Sequence, residues 1–170
     1  MLGPAVAWAG PDPLAGLRPT ANDVRGLRVV GESRYAGAGE ALTELYDGGY
    51  MRYVNAGVVG ASQGYYNLKD GTVELTLHRM ESPEAAMRFL GSLCNDINAN
   101  VAPLRGRPGG RVCTGASAGT FFGYLALADV LVATSLDQGD AADLDSVLQA
   151  TARRIARAPA SKPAKPTQKR

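Results

Sequence analysis

His78 is the only histidine in the sequence, so it is the one side chain whose ordinary pKa lies near neutral pH. It falls on the polar face of an alternating segment, which predicts a solvated side chain rather than a ligand or a base. A lone histidine also argues against zinc clusters and Ser-His-Asp triads, which need converging partners. No motif in the sequence indicates a cofactor or a metal site.

Residues 115–119 (GASAG) match the G-x-S-x-G spacing of a nucleophile elbow around Ser117. An elbow turns from a strand into a helix, but strand-like residues 121–127 follow here. We therefore expect no serine hydrolase. Residues 106–111 offer flexible backbone and two arginines that could hold an anion, but no helical pattern follows, which favours an exposed loop.

Three acids, Glu40, Glu44 and Asp47, lie four and three residues apart along a predicted helix. Paired acids on one helix face can transfer protons or bind calcium. A solvated helix face explains the same spacing more simply. An enzyme of unrecognised type that uses these acids or His78 remains the alternative interpretation.

Tyrosines are the notable enrichment, and their apolar body and polar tip suit binding surfaces as well as the edge of a core. The adjacent pair Gly48 and Gly49 needs a cause inside a helix: a second short helix over 48–56 capped by Asp47, a close backbone approach, or a ligand contact. The candidate ligand or partner surface consists of Tyr46, Asp47, Gly48, Gly49, Tyr50, Tyr53, Tyr65 and Tyr66.

The elements that must position these residues follow from periodicity and turn signals. Strands are predicted at 27–35, 62–68, 72–80 and 111–115, with two more in 119–136 that turn at Ala128-Asp129. Helices are predicted at 40–56, 82–98 and 141–156. This order, with hairpins among the strands, predicts an α+β fold in which an antiparallel or mixed sheet carries the helices on one face.

The local signals differ in strength. Ser82 and Pro83 are a typical N-cap and first helical residue, which makes the second helix the firmest local prediction. The strand at 72–80 alternates, with Val73, Leu75 and Leu77 on one face and Glu74, Thr76 and His78 on the other. That pattern predicts a strand with one face on a core and one on water.

The charge is distributed unevenly along a chain of net charge +2. Four of the basic residues lie in 158–170, which holds no acid, so the rest of the chain is slightly acidic. A basic folded surface is typical of nucleic-acid binding, and none is expected here. The Pro-, Ala- and Lys-rich residues 158–170 predict a disordered basic tail that makes loose contact with anionic surfaces.

Residues 1–9 (MLGPAVAWA) resemble the end of a signal peptide, with a short apolar run and an Ala-x-Ala pattern. A frayed N-terminus of a cytosolic protein is the alternative. No apolar run is long enough to predict a transmembrane span. We expect a single domain over 10–157. Cys94 and Cys113 predict a disulfide in an oxidising compartment, or two small buried side chains in the cytosol.

Two segments carry a resemblance to a known family. Residues 45–58 (LYDGGYMRYVNAGV) resemble a helix signature with two tyrosines around a glycine, and residues 78–86 (HRMESPEAA) resemble a strand-Met-x-Ser-Pro-x-x-Ala junction. Together they are similar to an exported bacterial family catalogued only as a domain of unknown function, of the 6599 type. The resemblance implies export, periplasmic or extracellular, and an α+β fold. It implies no activity and no catalytic residues.

The sequence therefore favours an exported, non-enzymatic module that binds an unknown protein or small molecule through the first helix and the Tyr65-Tyr66 strand. The alternatives are the enzyme of unrecognised type and a subunit of an envelope complex, which an exposed apolar patch would indicate.

Overall fold

The computed structural model describes residues 11–159, so the predicted leader (1–9) and nearly all of the predicted tail (158–170) lie outside the described part. Seven strands are present in it: β1 (Leu27–Gly37), β2 (Val58–Leu68), β3 (Gly71–Met80), β4 (Ala102–Pro103), β5 (Arg111–Ser117), β6 (Thr120–Leu127) and β7 (Val130–Asp137). The α-helices are α1 (Tyr50–Ala56), α2 (Pro83–Asp96) and α3 (Ala141–Arg157), and 3₁₀ segments occupy Ala15–Leu17 and Gly39–Glu44.

The strands form one antiparallel sheet in the order β1-β2-β3-β7-β6-β5-β4. β7 therefore inserts beside β3, and the two hairpins β2–β3 and β6–β7 form the middle of the sheet. The predicted α+β class is confirmed, and of the two predicted alternatives, an antiparallel or a mixed sheet, the antiparallel sheet is present.

Helices cover both faces of this sheet, which corrects the expectation that they share one face. On one face α3 packs with the N-terminal Leu14 and Leu17 onto core residues such as Leu75 and Leu125. On the other face α2 and α1 pack onto a second cluster that includes Leu131 and Ala126. The central strands are apolar at consecutive positions, such as Val130, Leu131 and Val132, because both of their faces are buried.

The predicted helix over 40–56 is two pieces. A 3₁₀ segment ends at Glu44, and α1 begins at Tyr50 after a turn in which Gly48 has φ +70°. Of the alternatives for the paired glycines, the second short helix is present, but Gly49 and not Asp47 is its N-cap residue. A residue with a Cβ is strained at positive φ, so Gly48 permits the break. Gly57, at φ +91°, ends α1, which agrees with the end predicted for the helix over 40–56.

The other two predicted helices are present, and a side chain caps the start of each one. Ser82 accepts a hydrogen bond from the Ala85 backbone N–H at the start of α2, and Asp140 accepts one from that of Asp143 at the start of α3. The predicted turn at Ala128-Asp129 joins β6 to β7.

The N-terminal segment is anchored by buried polar groups rather than simply extended. Arg18 donates through Nη2 to Ser62 Oγ at 2.6 Å, and its guanidinium lies over Gly64, where a Cβ would come within 2.4 Å of Nη1. Asp23 accepts from Arg154 Nε at 2.7 Å, which ties the segment to α3. Burial would raise the pKa of Asp23, but hydrogen bonds from Thr20 and Arg154 outweigh it and lower that pKa.

The sulfurs of Cys94 and Cys113 are 2.04 Å apart, so the two residues form a disulfide that links α2 to β5. Both residues are buried, at 0% and 3% exposure. The bridge fixes α2 across the face of the sheet that lies opposite α3.

Candidate ligand-binding cleft

The sheet face beneath α2 consists of cross-strand rows whose exposure increases from one row to the next. The first row is buried under α2, the second is partly covered, and the third lies beyond the helix. In the strand order β2, β3, β7 and β6, the first row consists of Ala61, His78, Leu131 and Ala126. The second row consists of Gln63, Thr76, Ala133 and Tyr124, and the third of Tyr65, Glu74, Ser135 and Phe122. A cleft opens where α2 no longer covers these rows.

Tyr46 and Tyr53 form the wall of the cleft that faces α2. Their rings stack with centroids 3.6 Å apart and planes 9° from parallel. Tyr53 also meets the edge of Phe89, a residue of α2, at 5.5 Å. The break at Gly48 and Gly49 brings the two rings together, because it places Tyr46 before α1 and Tyr53 within it.

His78 lies below this pair and is 1% exposed, which corrects its expected place on a solvated strand face. Its Nδ1 is 3.2 Å from the carbonyl oxygen of Leu131, which can only accept, so Nδ1 carries the proton. Nε2 is then an acceptor, and the Tyr46 hydroxyl donates to it. Burial lowers the pKa of His78 to about 4, so the ring is neutral at physiological pH.

Glu74 is the one carboxylate that lines the cleft within the described chain. It is half-buried in β3, and its Oε1 accepts a hydrogen bond from Gln63 Nε2 at 2.9 Å. Its negative charge contributes to raising the pKa values of Tyr46, Tyr53 and Tyr65, in each case behind the larger effect of burial. These phenols therefore remain neutral hydrogen-bonding groups.

The cleft has a volume of about 180 Å³. Four aromatic rings, together with Leu93 and Ala133, give the cleft apolar walls, and polar side chains and phenol hydroxyls converge on the same space. The lining residues are Tyr46, Tyr53, Glu74, Thr76, His78, Leu93, Phe122, Tyr124, Ala133, Thr134 and Ser135.

His78 is poorly placed to act as a base in the cleft. Both ring nitrogens of His78 are engaged in hydrogen bonds, and its low pKa makes it a poor base at neutral pH. Within residues 11–159, no three His, Cys, Asp or Glu side chains come together as a metal site.

The structure brings only part of the predicted tyrosine surface together. Tyr46 and Tyr53 line the cleft, whereas Asp47, Gly48 and Gly49 form an exposed turn at its side. Tyr50 is half-buried against the cluster beneath α2.

Tyr65 and Tyr66 point to opposite faces of the sheet, because neighbouring residues in a strand alternate. Tyr65 is 38% exposed and lies beside Glu74 in the third row. Tyr66 is 2% exposed and belongs to the core beneath α3, so it does not share a surface with Tyr46.

The acids and the serine motif considered from the sequence are not in the cleft. Glu40, Glu44 and Asp47 are exposed around the second 3₁₀ segment. Ser117 ends β5, and the next two residues turn directly into β6, so the motif is a strand-turn-strand hairpin rather than an elbow.

Sequence reasoning missed Glu74, Phe122, Tyr124 and Ser135 as cleft residues. The usable signal was the alternation of β3, which placed Glu74, Thr76 and His78 on one face. The cleft residues on β6 and β7 could be identified only from the order of the strands in the sheet, which the sequence does not reveal.

A larger concavity of about 490 Å³ lies where α3 ends. Its arginines are largely neutralised: Arg79 pairs with Asp129 at 2.8 Å and Arg154 pairs with Asp23 at 2.7 Å. Arg157 also lines it. Its charge is thus mostly compensated, and we assign it no ligand.

Comparison with known proteins agrees with this architecture. No family model and no curated protein matches the chain. The fold is similar to the crystal structure of the extracellular domain of PknH from Mycobacterium tuberculosis, with a TM-score of 0.52 and 10% sequence identity, over 84% of this chain and 92% of that one. At this identity the likeness shows a shared fold. The resemblance to the 6599-type family stays a prediction.

In the described part of the chain, none of the helices is both long and apolar enough to cross a bilayer.

Proposed function

We propose that this chain is an exported sensing or binding module that takes a small molecule into the cleft between Tyr46, Tyr53 and Glu74. The observation that carries the proposal is the cleft itself: stacked phenols and a half-buried carboxylate surround an open volume of about 180 Å³.

Export is supported by two features. A disulfide between Cys94 and Cys113 suits an oxidising compartment. The fold is similar to an extracellular domain of a mycobacterial protein, which favours a binding or sensing role outside the cell for this chain as well.

The test is a ligand screen by thermal shift on the full chain with two tryptophan variants. Ser135→Trp fills the cleft from β7, whereas Ser146→Trp places the same side chain on the exposed face of α3. Compounds that raise the Tm of the wild type and of Ser146→Trp should fail to raise that of Ser135→Trp. If they stabilise Ser135→Trp equally, the cleft is not the binding site.

A second candidate function is docking of a protein partner along the edge strand β1. Val29 and Val30 are 67% and 43% exposed there, beside the half-exposed Tyr65, and an edge strand offers unpaired backbone groups to another chain. A Val29→Lys variant tests this candidate: a partner co-purified stoichiometrically with the wild type from the native envelope fraction should be lost. Retention of that partner by Val29→Lys would reject the edge as its interface.

A further inference from the structure

We propose that the ligand of the cleft is a small organic cation, an alkylammonium or quaternary ammonium group held by Glu74 between aromatic side chains. This inference rests on the proposed function and names the chemical class of its ligand. It follows from the charge, the aromatic walls and the dimensions of the cleft.

The charge of the cleft is negative. Among its lining residues Glu74 is the only acidic side chain, none is Lys or Arg, and His78 is neutral. The nearby Arg52 already has other partners. Its guanidinium pairs with Asp96 and lies 5.8 Å from the centre of the Phe89 ring. A half-buried carboxylate without a cation in the cleft attracts a positively charged ligand.

Glu74 retains capacity to accept hydrogen bonds. Gln63 donates to Oε1, and within residues 11–159 no donor contacts Oε2. A carboxylate has about four acceptor positions, so an ammonium group can bind Oε2 without displacing Gln63.

Aromatic side chains stand on both sides of this carboxylate. Tyr46 and Tyr53 lie on the side of α1, and Phe122 and Tyr124 rise from β6 on the other. A cation within about 6 Å of such rings is attracted by their negative faces, and cages of this kind are a common way to bind quaternary ammonium groups.

The dimensions fit a small ligand. Glu74, Ser135 and Phe122 are cross-strand neighbours on three adjacent strands, so the carboxylate and the Phe122 ring arise roughly 10 Å apart, at two interstrand spacings. Ser135 between them is small and leaves the space open. The volume of about 180 Å³ is small, which suits a cation of a few carbon atoms.

The test compares cations with neutral molecules of the same shape on the full chain. Choline and its neutral isostere 3,3-dimethylbutan-1-ol, and butylammonium and neutral butan-1-ol, are titrated while the backbone amide signals of Glu74 and Ser135 are followed by NMR. The cations should bind at least about tenfold more tightly than their isosteres, and Glu74→Gln should remove that preference.

Asp70→Asn is the matched control, because it removes one negative charge from the exposed turn before β3 and leaves the cleft unchanged. It should retain the preference for cations. Equal binding of cations and isosteres, or an undiminished preference in Glu74→Gln, would overturn the inference.

The two proposals fail separately. If neutral compounds from the thermal-shift screen move the Glu74 and Ser135 signals and the cations do not, the cleft binds small molecules but not cations. If no compound of either kind moves these signals, the proposed function fails as well.

Discussion

The phenolic O–H of Tyr46 donates a hydrogen bond to Nε2 of His78, and the Nδ1–H of the same ring donates to the carbonyl oxygen of Leu131. The buried imidazole is thus fully paired between a residue that precedes α1 and a residue of β7. The hydrogen bond joins Tyr46, in the wall of the cleft, to His78, in its floor. Its loss in a variant can therefore be measured as a decrease in the free energy of unfolding.

Tyr46→Phe should destabilise the protein. The variant leaves Nε2 of His78 buried without a donor, and an unsatisfied buried acceptor costs about 1–3 kcal/mol. Chemical denaturation measures the loss. Tyr50→Phe is the control, because the Tyr50 hydroxyl makes no hydrogen bond within residues 11–159, and its effect should stay below about 0.5 kcal/mol. Equal effects of the two substitutions would contradict the assigned pairing.

Stability should fall with pH between about 6.5 and 4 because of His78. In this window the unfolded chain binds a proton at His78 that the folded chain does not, so the free energy of unfolding decreases as the pH is lowered and is fully recovered above 6.5. A shift of this size corresponds to about 3 kcal/mol at the acidic end.

The measurement is the free energy of unfolding of the wild type and of His78→Gln from pH 7.5 to 5. The variant is less stable at neutral pH but should lack the histidine-dependent slope. Parallel curves for the two proteins would show that His78 is accessible to protons in the folded state.

Reduction of the Cys94–Cys113 disulfide should lower stability by about 3 kcal/mol, the value for a closed loop of this size in the chain-entropy model, since the two residues are 19 apart. Thermal unfolding with and without dithiothreitol measures the effect, and the double variant Cys94→Ala/Cys113→Ala should not respond to the reductant. Two titratable thiols in the unreduced, denatured protein would refute the bridge.

Gly71→Ala and Gly91→Ala should change stability in opposite directions. A Cβ at Gly71 would come within 2.8 Å of the Asp137 carbonyl oxygen, which belongs to the backbone of β7 and yields only if the strand moves. We expect a loss of about 1–3 kcal/mol. A Cβ at Gly91 meets nothing within 4 Å on α2, and alanine is the better helix former by about 1 kcal/mol.

Denaturation midpoints of the two variants against the wild type check this prediction. If Gly71→Ala is as stable as the wild type, β3 and β7 can move apart enough to make room for the added methyl group.

Local features of this fold could be predicted from the sequence, because short-range physics determines them. Ser82 begins a helix through its own side chain, and Gly57 ends one through its backbone. Long-range features could not. The alternation of β3 separates its two faces but does not say that α1 and α2 cover the polar one, so His78 was expected in water and is in the core.

Part of the candidate site could likewise be predicted from the sequence. Tyr46 and Tyr53 stand out as an enrichment within one short segment, and strand alternation alone separates Tyr65 from Tyr66. Phe122 and Ser135 join Glu74 only because β7 inserts next to β3, and this neighbourhood arises from pairing between residues that lie about 60 positions apart, as in the contact of Thr134 with Glu74.

The packing of Leu14 and Leu17 beside α3 has a practical consequence for how the protein is handled. Both ends of the described chain lie on the α3 side of the sheet, and the cleft opens on the other side. A linker joined directly at residue 11 or 159 would therefore begin on the side of the sheet opposite the cleft, and attachment to a sensor chip there directs the cleft toward the solution.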